Sequence, residues 1–444
     1  MSTIPKLALI PSGVKASKVY SVLPTDGTGD FTFSRAGAAT RVNSEGLIEE
    51  VLTNVPRLNY PMIDGVVSGC PSLLLEPQRT NLITYSEDFD NAYWTKSGSS
   101  VVGGFISPKG DLSAFKLVES SSGYGSIDHN IYSTSISILN STEYTVHHYI
   151  KSGENNIVGL QDVINSQYWA TINLITGVVL DEKTSGNTKV TLMSNNFYKI
   201  SIKFTSNTVN ARPAIFLLPN TYQSGRPSDM DYVGDGTSGI YIFGAQLEQG
   251  SYPTSYIKSN SGSITTRVAE TANGAGDANT FNDSEGVLFA EISAFQEILT
   301  TNEHIVLRNS ASTDFSNSIL IQHRNDGNLR IYADGFATGN IQFIVTDMNW
   351  LENNKIAIQY DSIGSNWKLF LNGISQARYS SAINQSVVGL NDISYYWGSS
   401  SNPFYGNTKQ IQYFDSALND TDLETLTSWT SFSEMATGQL YSVE

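Results

Sequence analysis

The chain has 444 residues, 40% of them apolar, so it is long enough for two or three domains with proper cores. Charged residues make up only 15%, against roughly 25% in an average globular protein, which argues against long ion-paired helices and coiled coils. With 26 basic and 42 acidic residues the net charge is −16, a surface that repels phosphate backbones and excludes nucleic-acid binding as the main role.

Residues 1–80 come first and differ from the rest. Seven basic and seven acidic residues make them neutral, so the whole negative charge falls on 81–444. Short strand-like runs such as FTFSRA and GLIEEVL are cut by Gly, Pro and Asn. No run closes a domain, and an arm packed on a neighbouring domain or another chain is the economical reading. The start, MSTIPKLALIPSG, has no real apolar core and reads as a structural N-terminus. No segment approaches the length of a membrane helix, so no membrane insertion is expected.

From 81 to 262 the pattern is that of a β-sandwich. Tyr198, Ile200, Ile202 and Phe204 alternate with Lys199, Ser201 and Lys203, as a half-buried strand requires. In EYTVHHYIK, alternation sends His147 and His148 to opposite faces, so the two cannot share one metal ion and are read as structural. GIYIFGAQLE is apolar on both faces and predicts a central strand. Residues 263–279, with few large apolar side chains, read as a linker.

From 280 to 444 alternation resumes in VLFAEIS, SILIQHR, LRIYADG, KIAIQYD, WKLFLNG and KQIQYFD. Asp326-Gly327 and Asn372-Gly373 mark hairpin tips. One helix is expected, with Asn419 as its N-cap and acidic residues in the first turn. The fold class is therefore all-β: two jelly-roll β-sandwich domains in tandem, preceded by an extended strand-and-loop segment.

Two stretches carry family resemblance. Trp367 to Gly373 (WKLFLNG) together with IQYFDSALNDTDLETL (411–426) resembles laminin-G-like, concanavalin A-like sandwiches. The blocks 33–60, 70–98 and 234–257 resemble a recurrent module of tailed-phage virion proteins, in which they precede or form a jelly roll similar to carbohydrate-binding modules. The resemblance implies a virion location, as tail fibre or head decoration, with assembly in the host cytoplasm. It also implies attachment to other virion proteins through residues 1–80 and self-association, with a trimer as the first expectation. Structural calcium is a feature of both jelly-roll families.

No catalytic residues are expected. The chain lacks HExxH, GxSxG, a phosphate-binding loop and a dinucleotide fingerprint, and pairs such as Glu248 with Asp235 or Glu291 with Asp361 are arbitrary choices for a glycosidase. Cys70 is the sole cysteine, which excludes an intrachain disulfide. Glycan binding is the more serious expectation, because a sugar site needs an exposed aromatic for the pyranose face and Asn, Asp or Arg for its hydroxyls. Three loops have that mix: Tyr168 with Trp169; Tyr222 with Arg226 and Asp229; and Tyr396 and Trp397 with Asn402 and Tyr405. Asp326, Asp334 and Asp361 are candidate calcium ligands, without EF-hand spacing. Arg35, Arg41, Arg57 and Arg79 are expected at an assembly or interdomain interface, where Arg pairs bidentately with carboxylates.

Overall fold

The computed structural model describes residues 4–121, 129–312, 316–334, 341–361, 366–379, 387–396, 402–430 and 432–439. Every strand pairing in the sheets described below is antiparallel, and the architecture is all-β.

The first sandwich packs two six-stranded sheets face to face. One runs Trp94–Ser97, Asn130–Ser133, Pro213–Leu218, Ile157–Asp162, Trp169–Asn173, Val179–Glu182 in spatial order. The other runs Ser99–Phe105, Ala114–Glu119, Gly239–Gln249, Glu143–Ser152, Tyr198–Thr205, Thr188–Leu192. Alternation fills the space between them with Val146, Ile150, Val158, Leu160, Ile200, Ile215 and Ile242, all buried. Gly239–Gln249 is central, with a neighbour on each side, as its two-faced apolarity predicts. Its own Phe243 joins Tyr149 and Tyr256 in a second cluster, which Ile48 of the N-terminal segment completes.

The second sandwich opposes an eight-stranded and a five-stranded sheet. The larger has Ile374–Tyr379, Trp367–Leu371, Asn354–Asp361, Glu285–Ala294 and Gly406–Phe414 in order. Residues 1–80 supply the rest of it. Leu7–Leu9 and Ser72–Leu75 both pair with Gly406–Phe414, and Arg57–Asn59 pairs with Ser72–Leu75. The Phe31–Ser34 strand pairs with Thr271–Asn273, which bridges through Ala275 to Ile393 at the edge of the five-stranded sheet.

This pairing bears on two expectations. Residues 1–80 pack on a neighbouring domain, the first of the two expected alternatives, but as strands of its sheets: they complete the second sandwich, 400 or so residues downstream in places. Residues 263–279 are not a free linker. Thr265–Arg267 pairs with Arg79–Asn81, and Glu270, Ala272 and Ala275 are buried.

Local signals hold where the chemistry is local. Asn372 and Gly373 have φ of 49° and 81°, the left-handed pair that a two-residue hairpin turn needs. Asn419 caps the helix Asp420–Ser428 by accepting from the Asp422 N–H at 2.9 Å. A second helix, Phe432–Gly438, was not expected. At seven residues it is too short to show a period, and it is held by tertiary contacts: Gln439 exchanges side-chain hydrogen bonds with Gln412 at 3.1 and 2.9 Å.

The two sandwiches meet where Tyr252 stacks on Phe295 with ring centroids 5.3 Å apart and Arg79 covers Tyr252. Beside this contact burial pushes the Glu303 carboxyl up to about 8, although it accepts from the Tyr405 N–H at 3.0 Å. The folded chain then keeps a proton there that the unfolded chain releases near 4.5. The folded state is the one binding more protons, so stability falls as pH rises from about 4.5 to 8 and levels off above. Glu303→Gln is expected to remove that fall and to raise stability at pH 8 by on the order of 2 kcal/mol, discounted for partial solvent access. Thermal melts of both forms from pH 5 to 9 check it.

Candidate functional site

The site begins with a buried carboxylate. Asp162, at the end of its strand, accepts from the Arg212 N–H at 2.8 Å, the Gln167 Nε2 at 3.1 Å and the Asn165 N–H at 3.3 Å. The loop 163–167 is wound round this group, which fixes where the next two residues point. Tyr168 turns into the core beside Phe204, 4.7 Å between ring centroids, and is 2% exposed. Trp169 faces the other way and stays partly exposed.

Trp169 lies directly across from Gln161 in the ladder. The Gln161 side chain holds a second loop on the same face, donating to the Ser228 hydroxyl at 3.0 Å and accepting from its N–H at 3.2 Å. Gly159 allows the close approach: a Cβ there would stand 2.5 Å from the Pro227 ring. Tyr222 anchors the loop; it is 8% exposed, packs on Ile157 and Leu218, and donates to the Arg226 carbonyl at 3.2 Å. The Arg226 guanidinium forks onto Asp229, with Nε 2.9 Å from the carboxylate, and reaches the Ser166 hydroxyl at 3.5 Å.

Two of the three expected loops therefore converge, around Trp169, Arg226 and Asp229. Beside them runs a crevice of about 290 Å³ lined by Gln167, Trp169, Lys183, Asn187, Lys203 and Asn207. Tyr168 and Tyr222 are corrected: burial makes them supports of the loops and removes them as stacking surfaces. Gln161, Ser166 and Ser228, which lace the loops together, escaped the sequence reading, because nothing local marks two loops some sixty residues apart as neighbours.

The third loop belongs to the second sandwich. Tyr396 is half-buried with Arg308 over its ring at 5.6 Å. The Asn402 carbonyl accepts from the His304 N–H at 3.2 Å, and Tyr405 packs against the core. Trp397 lies outside the described residues.

All four arginines have carboxylate partners within the chain, the interdomain alternative of the expectation rather than a contact with another subunit. Arg35 is fully buried and donates to Glu270 at 2.7 Å. Arg57, equally buried, holds Glu270 by Nε at 2.8 Å and by Nη2, and Glu76 at 2.7 Å. Arg41 pairs with Glu49 across its own hairpin at 2.9 Å, and Arg79 lies 3.8 Å from Glu248. Burial alone would raise the Glu76 carboxyl, but the Arg267 and Arg57 guanidiniums hold it down at about 2.

The calcium candidates do not converge. Asp326, at a hairpin tip, accepts from Arg324 and from the Asn328 N–H, whereas Asp334 ends the following strand, roughly 15–20 Å away at strand rise. Asp361 ends a strand of the opposing sheet, and the Asp334 side chain lies outside the described residues. Among the described residues no three His, Cys, Asp or Glu side chains are grouped to hold a metal. Glu248 is enclosed, accepting from the Thr254 N–H at 2.8 Å and hydroxyl at 2.6 Å, so it faces no cleft with Asp235. Glu291 and Asp361 stand six rungs apart on adjacent strands, roughly 20 Å, too far for a carboxylate pair. His147 and His148 are both buried and held neutral by desolvation, His148 down to about 3.

No family model matches the sequence, and no curated protein matches it. Among solved structures, the CBM40 domain of the Ruminococcus gnavus IT-sialidase bound to α2,3-sialyllactose is similar at 15% identity over 34% of this chain and 86% of that one, with a TM-score of 0.30. The leech intramolecular trans-sialidase complexed with 2,7-anhydro-Neu5Ac shares 18% identity over 34% of this chain and 24% of its own, at 0.29. A heptameric SAP-like pentraxin from Limulus polyphemus shares 10% over 33% and 71%, at 0.28. At these scores the likeness carries no argument about what this chain binds.

Proposed function

We propose that the protein is a non-enzymatic, glycan-binding component of a phage particle, displayed as tail fibre or head decoration and engaging host-surface polysaccharide through its first sandwich. The carrying observation is the convergence of two loops that leave the Trp169 ring partly exposed beside the Arg226–Asp229 fork and a polar crevice. An indole face covers the C–H face of a pyranose, while the neighbouring guanidinium, carboxylate and amides exchange hydrogen bonds with its hydroxyls. The supporting side chains are already fixed, by Asp162 on one loop and Gln161 on the other, so little ordering cost remains for the ligand. Binding of this kind breaks no bond. The virion placement rests on the sequence blocks at 33–60, 70–98 and 234–257.

The test is titration of the purified chain against a panel of bacterial surface glycans. Trp169→Ala is expected to weaken the binding found by about tenfold or more, roughly 1.4 kcal/mol, without lowering the melting temperature. Retained affinity in that variant moves the site elsewhere. No saturable binding by the folded wild-type chain overturns the glycan reading in favour of a purely structural virion subunit.

A further inference from the structure

A second cavity, of about 270 Å³, lies on the other six-stranded sheet of the first sandwich, away from Trp169. Its floor is the outer face of Thr188–Leu192 and Tyr198–Thr205, and its walls come from residues 40–42, 59–62 and 253–256, with Phe295 and Asn407 of the second sandwich. The register sets Lys189 opposite Ser201 and Thr191 opposite Lys199. The two lysines are thus diagonal neighbours on one face, with roughly 7–8 Å between their backbones. Lys189 is exposed and stands at the mouth, whereas Lys199 is half-buried within.

Neither ammonium has a carboxylate in ion-pair range among the described residues. Lys199 gives one hydrogen to the Thr254 carbonyl at 2.9 Å and keeps two donors. The acidic groups nearest to it are already committed: Glu76 to Arg57 and Arg267, Glu248 to Thr254 and Gln246. Burial pushes the Lys199 amine down to about 8, against the opposing pull of the Glu248 and Glu76 charges. The lining also holds two charged groups that are already paired, Arg41 with Glu49 and Glu76 with Arg57 and Arg267; beside them stand the hydroxyls of Thr191 and Ser201, the Asn407 amide and the Tyr149 ring. An enclosed ammonium with a second at the rim suits a monoanion; the one guanidinium of the lining, Arg41, is taken by Glu49, whereas a phosphate dianion favours a free arginine fork.

We propose that this cavity binds a hydroxylated carboxylate the size of one acidic monosaccharide, its carboxylate between Lys199 and Lys189 and its hydroxyls on Thr191, Ser201 and Asn407. The site stands independently of the crevice at Trp169, and either can fail alone.

Glucuronic acid is the probe, titrated calorimetrically into the full chain, with glucose and inorganic phosphate as controls. Saturable glucuronate binding is expected, with glucose and phosphate each at least about tenfold weaker. Lys199→Met is expected to cost about tenfold or more and Lys189→Met about threefold, the enclosed charge counting for more than the exposed one. Lys189→Met changes only a rim residue, so it remains informative if Lys199→Met melts early. Trp169→Ala should leave glucuronate affinity unchanged. The proposal is overturned by absence of glucuronate binding at 10 mM (roughly 3 kcal/mol of affinity or less), by equal binding of glucose or phosphate, or by wild-type affinity in both lysine variants.

Discussion

A chain starting at residue 81 is expected to lose its second sandwich while keeping the first. Residues 1–80 contribute Leu7, Leu9, Val19, Phe31, Phe33, Leu73 and Leu75 to the second core. At roughly 1.5–3 kcal/mol for each buried side chain, losing all seven removes about 10–20 kcal/mol, as much as the roughly 5–15 kcal/mol by which a domain is usually stable. The strand Gly406–Phe414 also loses every partner on one side, leaving a long unpaired edge that invites aggregation. The main core of the first sandwich, by contrast, draws only on residues between Ile83 and Leu247. Limited proteolysis of the shortened chain should therefore yield a resistant fragment near 81–262 and rapid digestion beyond it. A single cooperative melt at the full-length temperature would sink the idea.

Glu270→Ala is expected to destabilise the protein by about 3–5 kcal/mol, the cost of stranding buried charge. Glu270 receives Arg35 at 2.7 Å, Arg57 through two nitrogens, and the Glu76 N–H at 2.9 Å. Arg35 also ties its own loop, donating to the carbonyls of Gly37 at 2.8 Å and Leu52 at 2.7 Å. Its guanidinium, left without a carboxylate, would have to draw water into the junction. Adding Arg35→Met should recover part of the loss, a coupling that independent sites do not show. The same cluster predicts acid sensitivity. Glu76 is held at about 2 against an ordinary 4.5, so its contribution is whole above 4.5 and is lost as pH falls from there towards 2. On the order of 3 kcal/mol is involved. Urea melts at pH 7 and pH 3 measure both effects, and equal loss in Glu270→Ala at the two pH values would show that the carboxylates are not coupled.

What could be read from the sequence was whatever alternation and turn chemistry decide within a few residues. The strand Tyr198–Thr205, the Asn372-Gly373 turn and the Asn419 cap all fall in this class. Alternation also forces one of Tyr168 and Trp169 inward, so treating both as stacking surfaces asked too much of one strand. The pairing of Leu7–Leu9 with residues 411–413 has no such local signature, and neither has the burial of Arg35 and Arg57. Arginine is ordinarily exposed unless paired, and here the partner, Glu270, comes more than two hundred residues later. The crevice was half legible: its aromatic and polar residues stand out in composition, but their meeting depends on Gln161 reaching Ser228.

The joining of Leu7–Leu9 to residues 411–413 sets the order in which the molecule can be made. At about 5–20 residues per second, a ribosome needs roughly 20–80 s to pass from one strand to the other. Once Gln249 is made, a little over halfway through that interval, the first sandwich has all its own strands and can close, while Leu7, Leu9, Phe31 and Phe33 still wait for the sheets that will cover them. Such long loops make closure slow as well as late. The chain therefore matures from its middle outwards, and its earliest residues are among the last to find their place.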